Sequence, residues 1–312
     1  MLIMWLMCLL VVMVLAPALC GEEISEKKGL PLEPTGEAKN KGGLGPGELN
    51  IWWEDYREAM NHAEKEQRML LIYFYDGSPA CRDFERLTLK NDAIQKSLLP
   101  YVCLRVPTTR TIRHQGESII LLKHQAFAEM LGKPGIAIVD FAHPGRDFYG
   151  TVVSTFPFLN GTFYSPDQMQ VILGLPPGTL TQRTLIYAVR VHPERPRSAD
   201  GIPDPILMEE ATRHADYQAR IGLQGHHHWE TRFQRLLSLL PGGLTPQEVC
   251  AESWPGQNLL EAAIECVRSW RVSSGHWRAV AAPHSRFGYD MKKGARGVWY
   301  ATGVFARDRL WQ

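Results

Sequence analysis

The sequence predicts two folded units of mixed class, an alternating α/β unit followed by an α+β unit, and three observations carry that expectation. Apolar runs with helical and strand periods alternate from residue 51 to residue 141, the order that opens an α/β module. Prolines then crowd residues 176–205 (Pro176, Pro177, Pro193, Pro196, Pro203 and Pro205) and mark a break. Beyond it, amphipathic helices lead to two strand-like runs joined by a short turn, so that helices lie on an antiparallel hairpin. A length of 312 residues accommodates two domains of ordinary size, each with its own core.

Residues 1–20 are an unbroken apolar run that closes on Ala18-Leu19-Cys20, close to the small-x-small pattern of a signal-peptidase site. A cleaved signal peptide is expected. The run also has the roughly 20-residue length of a membrane anchor, and Cys20 keeps a lipid-modified terminus open. Each reading exports the protein, to a periplasm, a cell envelope or the medium. Residues 21–48 are charged, rich in Gly and Pro and poor in large apolar side chains. Such a segment cannot bury enough surface to offset the entropy of ordering, so it reads as a tether. The expected layout is leader 1–20, tether 21–48, first unit 49–180, linker 181–204 and second unit 205–312.

In the first unit, Trp53, Tyr56, Ala59, Met60 and Ala63 recur with helical spacing ahead of an apolar strand at 69–75. The turn Asp76-Gly77-Ser78-Pro79 opens a helix through Cys81, Phe84 and Leu87, and a strand follows at 101–106. A helix over 119–131 and a strand over 136–141 complete the unit, with Pro134 between them as a rigid turn open to a cis peptide. In the second unit, Ala211, Ala215, Ala219 and Gly222 give the helix that starts at 206 a stripe of small residues. Helices follow at 228–239 and 258–271, the latter opened by Asn258 and Glu261 as a capping box. Strands at 286–291 and 298–305 form the closing hairpin.

Lys and Arg number 34 against 33 Asp and Glu, a net charge of +1, which argues against a nucleic-acid groove held by bulk charge. Past the leader stand Cys81, Cys103, Cys250 and Cys266, too few for a disulfide scaffold and without a C-x-x-C pair. In an exported chain Cys250 and Cys266 could pair.

Residues 53–140 resemble thioredoxin-like domains through Ala63-Glu64-Lys65-Glu66, the strand 70–75, Ser78-Pro79-Ala80-Cys81-Arg82-Asp83-Phe84-Glu85 and Lys133-Pro134-Gly135. The resemblance implies an attacking thiol at the start of a helix and a resolving thiol three residues on. Here Ser78 holds the attacking position and Cys81 the resolving one, so dithiol exchange lacks its first nucleophile. Cys81 is the remaining redox candidate.

Residues 206–306 resemble bacterial-type CAP domains, the cysteine-rich secretory protein superfamily. The matching segments are His226-His227-His228-Trp229-Glu230-Thr231-Arg232, Glu248-Val249-Cys250-Ala251-Glu252-Ser253, Ser269 to Trp277, and the closing hairpin with Phe287-Gly288-Tyr289. Ser253 stands where the family has Asn, and Ser274 where it has Pro. The resemblance implies an α-β-α sandwich and a pocket in which His226, Glu252 and His276 converge. Two imidazoles and a carboxylate would suit zinc.

Three functions fit these residues. The first is an exported, non-catalytic binding or scaffold protein whose CAP-like pocket holds a lipid, peptide or protein of the envelope or extracellular space. The second is a zinc-assisted hydrolase with Glu252 as ligand or general base. The third is a single-cysteine thiol-disulfide or chaperone-like protein acting through Cys81. Binding is the expectation, since the CAP resemblance implies partner binding more than any one reaction.

Overall fold

The computed structural model describes residues 50–308; the leader and tether expected over 1–48 lie outside the described residues. The class is mixed α/β, as expected. The first sheet has the order β1-β3-β2-β6-β7, built from β1 (Trp52–Trp53), β2 (Leu70–Tyr75), β3 (Val102–Pro107), β6 (Gly135–Val139) and β7 (Val152–Pro157). β1, β2 and β3 run parallel, while β6 and β7 join antiparallel. A separate hairpin of β4 (Thr111–His114) and β5 (Glu117–Ile120) projects from the connection after β3.

The pleat of β2 divides this unit's core. Leu70, Ile72 and Phe74 face a cluster with Tyr56, Ala59 and Ala63 of α1 (Tyr56–Lys65), whereas Leu71 and Tyr73 face Phe84, Ile94 and Leu98. The latter residues belong to α2 (Pro79–Asp83) with its π-helical continuation Phe84–Leu89, and to α3 (Asp92–Leu98). The helix expected over 119–131 is not formed: its first two residues end β5, and two 3-10 segments, Leu121–Lys123 and Gln125–Met130, follow. Phe127 is non-helical and Leu131 is left-handed, which lets Leu121, Leu122, Phe127 and Met130 all reach the core. Pro134 is a turn residue whose carbonyl accepts from Phe158 N–H at 2.7 Å; its peptide is trans, since no described peptide is cis.

The second sheet has the order β8-β10-β11-β9, from β8 (Ile202–Pro203), β9 (Leu244–Glu252), β10 (Arg286–Lys293) and β11 (Trp299–Asp308). The expected hairpin is β10 with β11, and β9 adds antiparallel to its free side. On one face lie α6 (Pro205–Ile221) and α7 (Trp229–Leu239), gathered with Val304 and Ala306; on the other, α8 (Leu259–Val272) packs against Ala301 and Phe305. A short α9 (Ser274–Ala281) follows α8, whose Asn258–Glu261 capping box is present as expected. Gly288 permits the close docking of α6, because a Cβ there would stand 2.2 Å from the Leu207 carbonyl carbon.

The expected linker 181–204 is corrected. Residues from α4 (Pro166–Leu173) run into α5 (Leu180–Arg190), whose stretch Gln182 to Val189 is buried throughout. α5 packs against β7, α8 and β10, so it belongs to both units. One apolar cluster accordingly runs from Leu71 and Tyr73 through Leu185 and Val189 to Cys266, Tyr289 and Phe305. Prolines at 176 and 177 mark a turn before that helix, and only Pro193 to Arg195 behave as an exposed connector. Among the described residues no helix is long and apolar enough to cross a membrane.

Candidate functional site

The three consecutive histidines before α7 diverge. His226 turns toward α9 and β9, His227 Nε2 lies 3.2 Å from Leu223 O, and His228, left-handed at φ 55°, places Nε2 3.3 Å from the Tyr217 hydroxyl. His226 and His276 meet as expected, with their Nε2 atoms 3.2 Å apart. His226 Nδ1 lies 2.9 Å from Glu248 Oε1. The carboxylate accepts from His226 Nδ1–H, which leaves His226 Nε2 as the acceptor of a hydrogen bond from His276 Nε2–H. Burial and the neighbouring His226 hold His276 below the ordinary imidazole pKa, which favours a second neutral ring.

The acid of this site is Glu248, not Glu252. Glu248 pairs in register with Val304 and Glu252 with Tyr300, so Glu252 sits four residues along β9, roughly 13 Å away at strand rise. It is exposed at the strand end. Glu248 has a side chain only 1% exposed and receives Arg232 through both oxygens, one of them 2.9 Å from Nη2. Burial works against its ionised form, but the hydrogen bonds from His226 and Arg232 outweigh it and hold Glu248 below the usual carboxylate range. Arg232 also reaches Glu210 Oε1 at 3.1 Å and the His227 carbonyl at 2.9 Å, and Arg235 closes on the other Glu210 oxygen. Two buried carboxylates therefore share a knot of arginines behind the imidazole pair.

His214, Glu248 and Cys250 also place ligand atoms within 4.8 Å of one another. The chemistry of that trio does not suit a metal. His214 Nε2 is 2.8 Å from the Gly225 carbonyl and donates to it, Glu248 is spent on Arg232, and burial pushes the Cys250 thiol well up. The pair His226 and His276 does fit: two ligand atoms of a tetrahedral zinc, with bonds of about 2.0–2.1 Å, stand roughly 3.3 Å apart. Such a metal would hold two protein nitrogens, with Glu248 orienting one of them from behind. Cys250 and Cys266 are separate buried thiols, so the pairing expected of them is absent among the described residues. A cleft of about 490 Å³ opens beside the knot between α6 and α7, lined by His214, Tyr217, His227, Arg232 and Arg235, among others, but not by His226 or His276.

In the first unit, Ser78 caps α2 by accepting from Cys81 N–H at 3.4 Å, and the Cys81 thiol donates to Asp76 Oδ1 at 3.3 Å. Cys81 is 1% exposed. The turn uses Ser78 as a helix cap and gives the Cys81 thiol no open approach.

No protein-family model and no curated protein matches the sequence. Among solved structures, the chain is similar to an outer surface protein from Borrelia burgdorferi, at 18% identity over 35% of this chain and 79% of that one, with a TM-score of 0.28. A likeness of that size carries no argument about fold or function.

Proposed function

We propose that the chain is an exported binding protein, with a thioredoxin-like first unit that serves as scaffold and a CAP-like second unit that carries the recognition centre. The order of the first sheet and the helices on both faces of the second support these two assignments. The observation that carries the functional reading is the half-exposed imidazole pair braced from behind by a buried, already neutralised carboxylate. Such a centre presents two oriented nitrogens to a ligand. It holds no unshared base beside them, because Glu248 is committed to Arg232 and Glu252 lies elsewhere. The partner is an envelope or extracellular lipid, peptide or protein.

The 3.2 Å separation is that of an imidazole–imidazole hydrogen bond and also matches two ligands of a zinc, so zinc with His226 and His276 as protein ligands is the second reading. A binding screen and a hydrolysis screen on one preparation test the reading. Saturable perturbation of the His226 and His276 resonances by zinc or an envelope component, without turnover of ester or peptide substrates, supports it. Zinc-dependent turnover lost in His276→Ala would establish the hydrolase in its place.

A further inference from the structure

A second ordered imidazole lies at the junction of the two units. After β6, Asp140 is fully buried, and its Oδ1 accepts from the N–H groups of Ala142 and His143 at 3.0 Å each. Its Oδ2 lies 2.7 Å from His143 Nδ1. Arg183 of α5, itself fully buried, supplies opposite charge to Asp140, while its Nε and Nη1 bond Ser154 Oγ and the carbonyls of Leu175 and Pro176. The carboxylate thus fixes the His143 tautomer and leaves Nε2 as an acceptor that no described residue occupies. The His143 side chain is 32% exposed.

That ring lines a cavity of about 520 Å³ formed by both units, with Arg146, Asp147 and Phe148 on one wall and Met208, Glu209 and Thr212 on the other. The volume falls within the roughly 300–1,000 Å³ typical of small-molecule sites. No acid among the described residues pairs with Arg146. The lining asks for a particular chemistry. Arg146 offers a place for one anionic group, His143 Nε2 and Asp147 accept from hydroxyls, and Phe148 and Met208 present apolar surface. Asp147 and Glu209 would repel a polyanion.

We propose that this junction cavity binds an acidic sugar, its carboxylate on Arg146, its hydroxyls on His143 Nε2 and Asp147, and its apolar ring face against Phe148. The site is independent of the imidazole pair formed by His226 and His276. Nuclear magnetic resonance titration of the full chain with glucuronate, glucose and acetate, read at the backbone amides of residues 146–148, tests it. Glucuronate should give a saturable shift, with glucose and acetate each much weaker. His143→Ala and Arg146→Met should each weaken glucuronate binding by about tenfold, the worth of one lost hydrogen bond or ion pair. Arg146 is exposed, so Arg146→Met should hold its melting temperature and carries the test by itself, whereas His143→Ala strips buried Asp140 Oδ2 of its partner and should lower the melting temperature, which circular dichroism follows alongside the titration. The proposal is overturned by no saturable response to glucuronate, by glucose binding as tightly as glucuronate, or by retention of full affinity in both variants.

Discussion

The turn at Asp76 to Cys81 and the cluster around Glu248 dispose of their polar groups in opposite ways. In the turn, the polar atoms close on one another: Ser78 caps the helix, the thiol donates to Asp76, and Cys81 is sealed from solvent. Around Glu248 the charges are sealed instead, and the imidazoles of His226 and His276 are left partly in water. A reactive centre needs its nucleophile exposed and its partner within reach. In the turn Asp76 reaches solvent but the thiol does not, whereas in the second region two imidazoles reach solvent and the buried charges serve to aim them.

The largest expected effect is at the knot. Glu248→Ala leaves Arg232 buried with Glu210 alone, and removing one partner of a buried pair costs about 3–5 kcal/mol; urea unfolding measures it, and a loss below about 1 kcal/mol would show an exposed-type pair. Gly288→Ala drives a Cβ into the Leu207 backbone and should cost about 1–3 kcal/mol or more. Because one apolar cluster spans both sheets, a probe placed on β2 should report the same lowered transition as a probe on β10. Separate transitions would mean that the two regions owe their stability to different cores.

A smaller effect is the pH response. Burial lowers the pKa of His214 and of His276 from 6.5, so the folded chain binds fewer protons there than the unfolded chain does. That stability is complete above the unfolded value and is lost as pH falls through the folded one. The urea midpoint should therefore drop between about pH 7.5 and pH 5, and His214→Gln should flatten part of the drop. The smallest expected effect is at the turn. Cys81, Cys103, Cys250 and Cys266 are all buried, and burial pushes the Cys103 thiol up to about 12. An aromatic disulfide reagent should label none of them at a rate faster than global unfolding. Rapid labelling at Cys81 alone would restore a thiol function to the first unit.

Local signals in the sequence were legible where the structure is local. The strand at β2, the Ala211, Ala215 and Ala219 stripe of α6, and the Asn258 cap of α8 each depend on neighbours a few residues away, while Gly222, read as part of that stripe, is the left-handed cap that ends the helix. His226 and His276 were singled out through a family resemblance, and the two rings do meet at 3.2 Å. Glu248 was not, since Glu252 shares its strand face and the choice between them is made by Arg232, sixteen residues upstream on another element. A basic residue needing a buried acid was the available signal. α5 was hidden for a related reason: Gln182 and Arg183 look exposed in a sequence and are buried only because Thr212, Ser154 and two carbonyls receive them. The span 119–131 has helical spacing, but Phe127 and Leu131 leave helical geometry to fill the core beside β2.

The position of α5 has a consequence for how the polypeptide comes apart. The one exposed stretch between the units, Pro193 to Arg195, follows α5, so a single proteolytic cut there leaves the helix attached to the N-terminal piece and still lodged against α8 and β10. The two pieces should migrate as one particle until denaturant is added. Expressed separately, each would present half of a shared interior, and mixing them during refolding should reconstitute the whole.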